Sequence, residues 1–131
     1  KDVFDALGDG LCDSKPGTAN YTNTFFALQT FWVMADKNTV RKVPLQLLKI
    51  GDCYIAGVPA QIFVQFGKQI KKEVGKYCFV SAFANDYCGY IPVPECMKDG
   101  VYEATLCKTS CLEAEAGDII VRNITDLAKN Q

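Results

Sequence analysis

Residues 52–94 read DCYIAGVPAQIFVQFGKQIKKEVGKYCFVSAFANDYCGYIPVP, and they decide the fold. The apolar run over residues 53–58 predicts a buried strand, and a second apolar run over residues 77–84 predicts another. Between them, residues 61–75 predict an amphipathic helix, because apolar side chains recur every four residues. These side chains are Ile62, Phe66, Ile70 and Val74. Pro59 has no backbone N–H and suits the entrance of that helix.

Strand, helix and strand in this order predict a right-handed crossover between two parallel strands. In open α/β sheets, ligands bind at the carboxyl ends of the strands, where loops converge. Those ends are residues 59–61 and residues 85–90, and polar groups follow both apolar strands there. The sequence therefore predicts a site at this edge of the sheet.

The flanking segments extend and cover this sheet. Residues 43–50 alternate apolar and polar side chains and predict a strand that forms a hairpin with the next one. An antiparallel strand beside a parallel pair gives a mixed sheet in an α/β (α+β) fold. The spacing of apolar residues over 119–128 predicts a C-terminal amphipathic helix. Residues 25–35 are strongly apolar and fit either a buried strand or a short helix.

Four other segments predict short or irregular structure. Residues 1–24 predict a short opening helix or turn and then an irregular loop, and residues 36–38 predict a turn. Residues 91–94 hold two prolines and predict a stiff extended segment that is neither a central strand nor a helix. Residues 101–106 predict a short edge strand.

Length and composition limit the function classes. The chain has 131 residues, which fits a single domain or a fragment, and 49% of them are hydrophobic, enough for a core. The 14 basic and 15 acidic residues are interspersed, whereas nucleic-acid binding needs a clustered basic face. No apolar run approaches the ~18 residues of a membrane span, so no transmembrane segment is expected. The chain opens at Lys1 rather than at Met, as a processed chain or a piece of a longer one would.

The sequence contains no histidine and seven cysteines. The absence of histidine excludes His-based general catalysis within this chain and removes the commonest metal ligand. The cysteines form no CxxC pair and are odd in number, which argues against a structural zinc site and against a fully paired extracellular framework. Cys53 and Cys78 lie in apolar strands, and we expect small buried side chains there. Cysteine usage does not decide between a secreted and a cytoplasmic location.

Four motifs follow one another over residues 43–128: VPLQLLKIGDCYIAGVPAQIFVQFGKQIKKE, FVSAFANDYCGYIPVPE, GVYEA and EAGDIIV. Their succession resembles the neutral/alkaline (non-lysosomal) ceramidase family. The family pattern has an apolar strand ending in G-x-P-G-E, an amphipathic helix, and a strand ending in A-N-x-Y-x-G-Y. The resemblance implies that the chain is similar to the C-terminal part of that family's catalytic domain.

The resemblance also implies an activity, the hydrolysis of the amide bond of ceramide to sphingosine and a fatty acid at a zinc site. The family holds its zinc with two His, a Glu and a Tyr, and a Ser takes part in catalysis. The two His and the Ser belong to upstream segments that this sequence does not contain, so no catalytic residue is carried over.

Two late zinc ligands of the family have counterparts here. The family Tyr corresponds to Tyr90, and the family Glu corresponds to Gln61. Because a neutral amide is rarely a zinc ligand, we expect the zinc site to be lost or weak. The side chains nearby that could substitute for the missing carboxylate are Asp86, Glu95 and Cys88.

Asn85, Asp86 and Tyr87 lie in the same motif and are the candidate substrate-binding residues. Each candidate also has a purely structural interpretation. Asn85 and Asp86 are common turn formers, Tyr87 fits a core or wall position, and Tyr90 fits the polar end of a strand. Gln61 fits a cap at the start of the helix.

Three functions remain open at this point. The first is the C-terminal portion of a ceramidase-like amide hydrolase that is inactive without its N-terminal part. The second is a degenerate, non-catalytic relative that binds lipid or protein, and the third is a small cysteine-rich extracellular interaction domain whose cysteines are paired.

The expected partner is the missing N-terminal part or another copy of the chain, with a ceramide-like lipid as candidate substrate and no nucleic acid. Parallel strands are normally buried on both faces, so we expect an apolar interface formed by residues 25–35 and one face of the sheet. If the chain is a monomer, residues 1–42 must fold back over that face.

Overall fold

The crossover expected from residues 52–94 is present in the computed structural model of the chain, which describes residues 13–36, 40–75 and 77–131. The elements in chain order are helix α1 (Ala19–Ala35), strands β1 (Gln46–Ile50), β2 (Cys53–Gly57) and β3 (Gln61–Ile62), helix α2 (Val64–Val74), strands β4 (Cys78–Ser81) and β5 (Tyr90–Ile91), helix α3 (Pro94–Lys98), a 3₁₀ turn (Tyr102–Ala104) and helix α4 (Ala116–Lys129).

Strands β1, β2 and β4 form a mixed sheet in that order. β2 pairs with β4 in parallel, with Tyr54 opposite Cys78 and Gly57 opposite Ser81. β1 pairs with β2 antiparallel through a tight turn in which Gly51 has a φ of 59°. A left-handed φ costs glycine little, so this residue permits the hairpin. The predictions of a crossover, a hairpin and a mixed α/β sheet are confirmed.

Helices α2 and α4 cover one face of this sheet. The apolar stripe of α2 buries Phe66 and Ile70, as the four-residue period predicts. The predicted C-terminal helix is confirmed as α4, and it buries Ile120, Val121 and Ile124 against the same core.

A second, two-stranded sheet corrects the predicted start of the helix. Residue 61, expected in the helix or as its cap, lies in β3, which pairs in parallel with β5. The Gln61 N–H donates to the Gly89 carbonyl at 2.9 Å, and the Phe63 N–H donates to the Ile91 carbonyl at 3.1 Å. Helix α2 therefore begins at Val64, and no side chain caps it. Pro59 is buried before β3 and does not open the helix.

Three further predictions are wrong in whole or in part. Residues 91–94 do not form one extended segment, since Ile91 lies in β5 and Pro94 opens helix α3. Proline is compatible with the first turn of a helix, because the backbone N–H groups there have no hydrogen-bond partner within the helix. Residues 101–106 contain the 3₁₀ turn Tyr102–Ala104 and no edge strand. Cys53 is exposed, although its predicted companion Cys78 is buried.

Residues 25–35 belong to a helix, α1, which begins within the segment expected to be a loop. Thr18 caps it, because its hydroxyl accepts the Tyr21 N–H at 3.3 Å. The expected structure of residues 1–12 and most of the expected turn at 36–38 lie outside the described residues. None of the described helices combines the length and the apolarity that a membrane crossing requires.

The face of the sheet opposite α2 and α4 is exposed within the described part of the chain. We call it the open sheet face and define it by Leu48, Ile50, Ile55 and Phe79, which the strand registers place on one side. Ile50 is 65% exposed and Phe79 is 62% exposed. Helix α1 exposes further apolar side chains, among them Phe25 and Met34, and it carries no charged side chain and has no buried residue.

Replacement of Gly117 by alanine should destabilise the fold. A Cβ at this position would overlap the ring of Phe66, which is buried where α2 meets α4. Because an overpacked core must shift, we expect the free energy of unfolding to fall by about 1–3 kcal/mol. Urea denaturation measures this change.

Gly67→Ala is the matched control, since Gly67 also lies in a helix but has open space where the Cβ would be. Alanine favours the helix, so this variant should gain up to about 1 kcal/mol. Equal losses in the two variants would contradict the contact between Phe66 and Gly117.

Candidate functional site

The candidate site lies where the chain leaves β2 and β4. After β2, three buried residues lead into β3, and after β4 the segment 82–89 leads into β5. The pairing of β3 with β5 places Gln61 directly opposite Tyr90. Paired residues of neighbouring strands project to the same side of a sheet, so these two side chains are neighbours. The structure therefore brings together the two positions that the ceramidase resemblance assigns to a metal.

Tyr90 is held by contacts from distant parts of the chain. Its N–H donates to the Thr109 carbonyl at 2.7 Å. Gly89 makes this approach possible, since it has a φ of 101° and any Cβ there would meet the Thr109 backbone. The Tyr90 ring packs edge-on against Tyr102, and Tyr102 packs edge-on against Phe26 of α1. An aromatic row thus links the site to helix α1.

The hydrogen bonds, ion pair and ring contact of the Asn85, Asp86 and Tyr87 side chains are with groups other than Gln61 and Tyr90. Asn85, with a φ of 70°, donates from its amide to the Gln46 side chain at 3.1 Å. The Asp86 carboxylate accepts the Tyr87 N–H at 2.7 Å, so it folds back on its own turn. The Tyr87 ring is exposed and stacks on the Phe83 ring, with 5.5 Å between the two ring centroids. The expectation of a core position for Tyr87 is therefore wrong.

Arg41 holds this turn in place, a role that the sequence did not signal. Its guanidinium donates to the Tyr87 carbonyl at 2.7 Å and lies 4.0 Å from the Asp86 carboxylate. Both charged side chains are largely solvated, so the ion pair itself contributes little. Arg41 lies in an irregular segment without hydrophobic periodicity, so no sequence pattern indicated its role.

A cavity of about 350 Å³ lies behind this turn. Its walls are mostly apolar, and its polar groups are the Arg41 guanidinium, the Glu113 carboxylate and the Cys88 thiol. Cys88 is 1% exposed, and its N–H donates to the Pro59 carbonyl at 2.7 Å. Burial raises the pKa of the Cys88 thiol, although the nearby Arg41 opposes the shift. The thiol is therefore neutral and a poor nucleophile.

Gln61 and Tyr90 do not by themselves fit a zinc ion. Both side chains are neutral, whereas zinc sites in proteins use imidazole, thiolate or carboxylate. Within the described residues, no three His, Cys, Asp or Glu side chains are grouped as metal ligands would be. Of the possible substitutes, Asp86 faces Arg41, Cys88 is a buried neutral thiol, and Glu95 is exposed in the first turn of α3.

Comparison of the chain with models of protein families, with curated proteins and with solved structures found no match. The resemblance to ceramidases therefore depends on the motifs of the sequence alone.

Labelling of the native protein with a thiol reagent should separate the cysteines by burial. Cys53 and Cys111 are exposed and should react first, and Cys78 and Cys88 should react last. Burial blocks the reagent and raises the pKa of both buried thiols, so less thiolate is present at about pH 8 than for an ordinary cysteine. Mass spectrometry of labelled peptides gives the order.

The six described cysteines are free, so all should react after unfolding without a reductant. A thiol count near zero in that condition would contradict the structure and would favour a cysteine-rich extracellular domain.

Proposed function

We propose that this chain is the C-terminal portion of a ceramidase-like amide hydrolase and is catalytically incomplete by itself. The observation that carries the proposal is the pairing of Gln61 with Tyr90 across β3 and β5. The two residues are 29 positions apart in the sequence, and the motifs alone assign them to one metal site. Their direct pairing in the fold is the arrangement that shared ligation would require.

The chain lacks the groups that amide hydrolysis needs. It has no histidine to carry a proton or hold the metal, and no motif in it corresponds to the family's serine. Gln61 is also neutral, so it does not supply the negative charge that a carboxylate ligand would bring to the metal. In this proposal the chain supplies one wall of the site, and an N-terminal part supplies the catalytic groups.

The exposed apolar surfaces support an association of this kind. The open sheet face and helix α1 expose large side chains, among them Met34 at 77%. Residues 25–35 of α1 hold only two polar side chains, Gln29 and Thr30. A mostly apolar helical segment is normally buried, and so are both faces of parallel strands. The partner is then the N-terminal part of the same hydrolase or a second copy of the chain.

An alternative function is that of a degenerate relative that binds lipid or protein without catalysis. The cavity bordered by Arg41, Glu113 and Cys88 favours it, since a mostly apolar pocket with a few polar groups is typical of ligand sites. Gln61 favours it too, because a binding module does not need the metal.

Gln61→Glu should increase the zinc affinity of the chain. A carboxylate at this position adds a charged ligand beside the Tyr90 hydroxyl, and we expect a gain of at least about tenfold, equivalent to about 1.4 kcal/mol. The unsubstituted chain should retain less than stoichiometric zinc after dialysis. Calorimetric titration and metal analysis measure both.

Asn23→Asp adds the same charge at an exposed position of α1, outside β3 and β5, and should leave zinc affinity unchanged. Adding Tyr90→Phe to Gln61→Glu should abolish the gain. If the unsubstituted chain and a Tyr90→Phe variant both retained stoichiometric zinc, the metal would lie elsewhere and the proposed site would be wrong.

The chain should associate with itself or a partner at micromolar concentration. Ile50→Lys places a charge on the open sheet face and should shift the protein toward the monomer in sedimentation velocity, because a buried unpaired charge is costly. Leu127→Lys, a similar change on the outer side of α4, is the control.

A monomeric unsubstituted chain that binds no hydrophobic dye would contradict the expected interface.

A further inference from the structure

Strand β4 lies at the edge of the three-stranded sheet. Within the described residues, its only paired strand is β2. The Tyr77 carbonyl accepts the Tyr54 N–H of β2 at 2.8 Å, and the Ser81 carbonyl accepts the N–H of Val58, just after β2, at 2.9 Å. Residues 77, 79 and 81 therefore direct their backbone groups toward β2. In a parallel ladder the intervening residues direct theirs the other way. Val80 therefore directs its N–H and C=O groups to the outer edge of β4, whereas Cys78 is buried and Ala82 follows the strand in a turn.

The two edges of the sheet differ in protection. At β1, the Leu47 carbonyl accepts the side-chain amide of Gln131 at 3.1 Å, and Lys49 places a charge on the strand. At β4 the sequence is Cys-Phe-Val-Ser, with neither a charge nor a proline. Charged residues and prolines are the usual means by which proteins keep an edge strand from pairing. The edge of β4 has neither.

A groove runs beside this edge, between β4 and α2. We call it the β4 groove; its volume is about 360 Å³ and its lining residues include Ile62, Phe63, Val80, Ala82, Lys68 and Lys71. The two lysines lie three residues apart on α2, hence on one side of that helix. Neither forms an ion pair with another described residue. The groove thus offers apolar walls beneath two positive charges.

We propose that the outer edge of β4 binds an extended polypeptide segment as an added strand. Backbone hydrogen bonds to the N–H and C=O groups of Val80 would align the segment, as in other strand-addition complexes. Its alternate side chains would enter the β4 groove, where an apolar side chain meets the floor and a carboxylate meets Lys68 and Lys71. The partner is therefore an extended segment of polypeptide with apolar and acidic side chains on one side.

The charges argue against a second copy at this edge. An antiparallel two-fold continuation of the sheet through β4 would bring Lys68 and Lys71 of both copies to one seam. Like charges at that distance repel, and an acidic partner removes the conflict. The proposal is independent of the ceramidase-like function, because it requires only the edge and the groove.

The probe is a labelled peptide, acetyl-Thr-Val-Thr-Glu-Thr-Val-Thr-amide, and its control carries Lys in place of Glu. Fluorescence anisotropy at low salt should give about tenfold tighter binding of the Glu peptide. The double variant Lys68→Glu/Lys71→Glu should reverse this preference. Lys72→Glu, which changes a neighbouring lysine outside the groove, should keep it.

Hydrogen exchange locates the bound peptide. The Glu peptide should slow exchange of the Val80 amide and leave that of Phe79, which faces β2, unchanged. Equal affinity for the two peptides, no binding up to about millimolar concentration, or an unaltered Val80 amide would overturn the proposal. Protection of Val80 that grows with protein concentration alone would also overturn it, since it indicates pairing between copies.

Discussion

The parallel ladder between β2 and β4 is the constraint on which the rest of the structure depends. Parallel neighbours cannot be joined by a tight turn, so the chain must cross over, and α2 is the crossing element. The same ladder places the ends of both strands at one edge, and there the chain forms its second sheet from β3 and β5. The neighbourhood of Gln61 and Tyr90 is thus a consequence of strand direction.

Elements that a local sequence pattern determines could be predicted, whereas elements that long-range contacts determine could not. The four-residue period of Phe66 and Ile70 identified α2 because burial on one side imposes that period. The start of α2 was predicted three residues too early. Gln61 instead pairs with Tyr90 and donates its N–H to the Gly89 carbonyl, and both residues are distant in sequence. No local pattern carries that information.

Helix α1 and the site show two other limits. Residues 25–35 are apolar on every side, so the pattern that separates helix from strand is missing. Gln61 and Tyr90 were named from the motifs, and the fold places them side by side. The structure adds the Arg41 guanidinium, which binds the Tyr87 carbonyl, and the Thr109 carbonyl, which binds the Tyr90 N–H. Each contact has a backbone group as partner, and every residue type has that group, so a single sequence does not reveal which residues are paired.

The hydrogen bond from Gln131 to the Leu47 carbonyl makes the two edges of the sheet unequal in their ability to pair with a further strand. Fibrous polymerisation through strand pairing needs two open edges on each molecule, one to add to and one to be added. Here the Leu47 carbonyl on the β1 edge is already bonded to a side chain of the same molecule, which disfavours pairing of a further strand at that edge. A strand added at β4 is therefore not expected to start a growing filament.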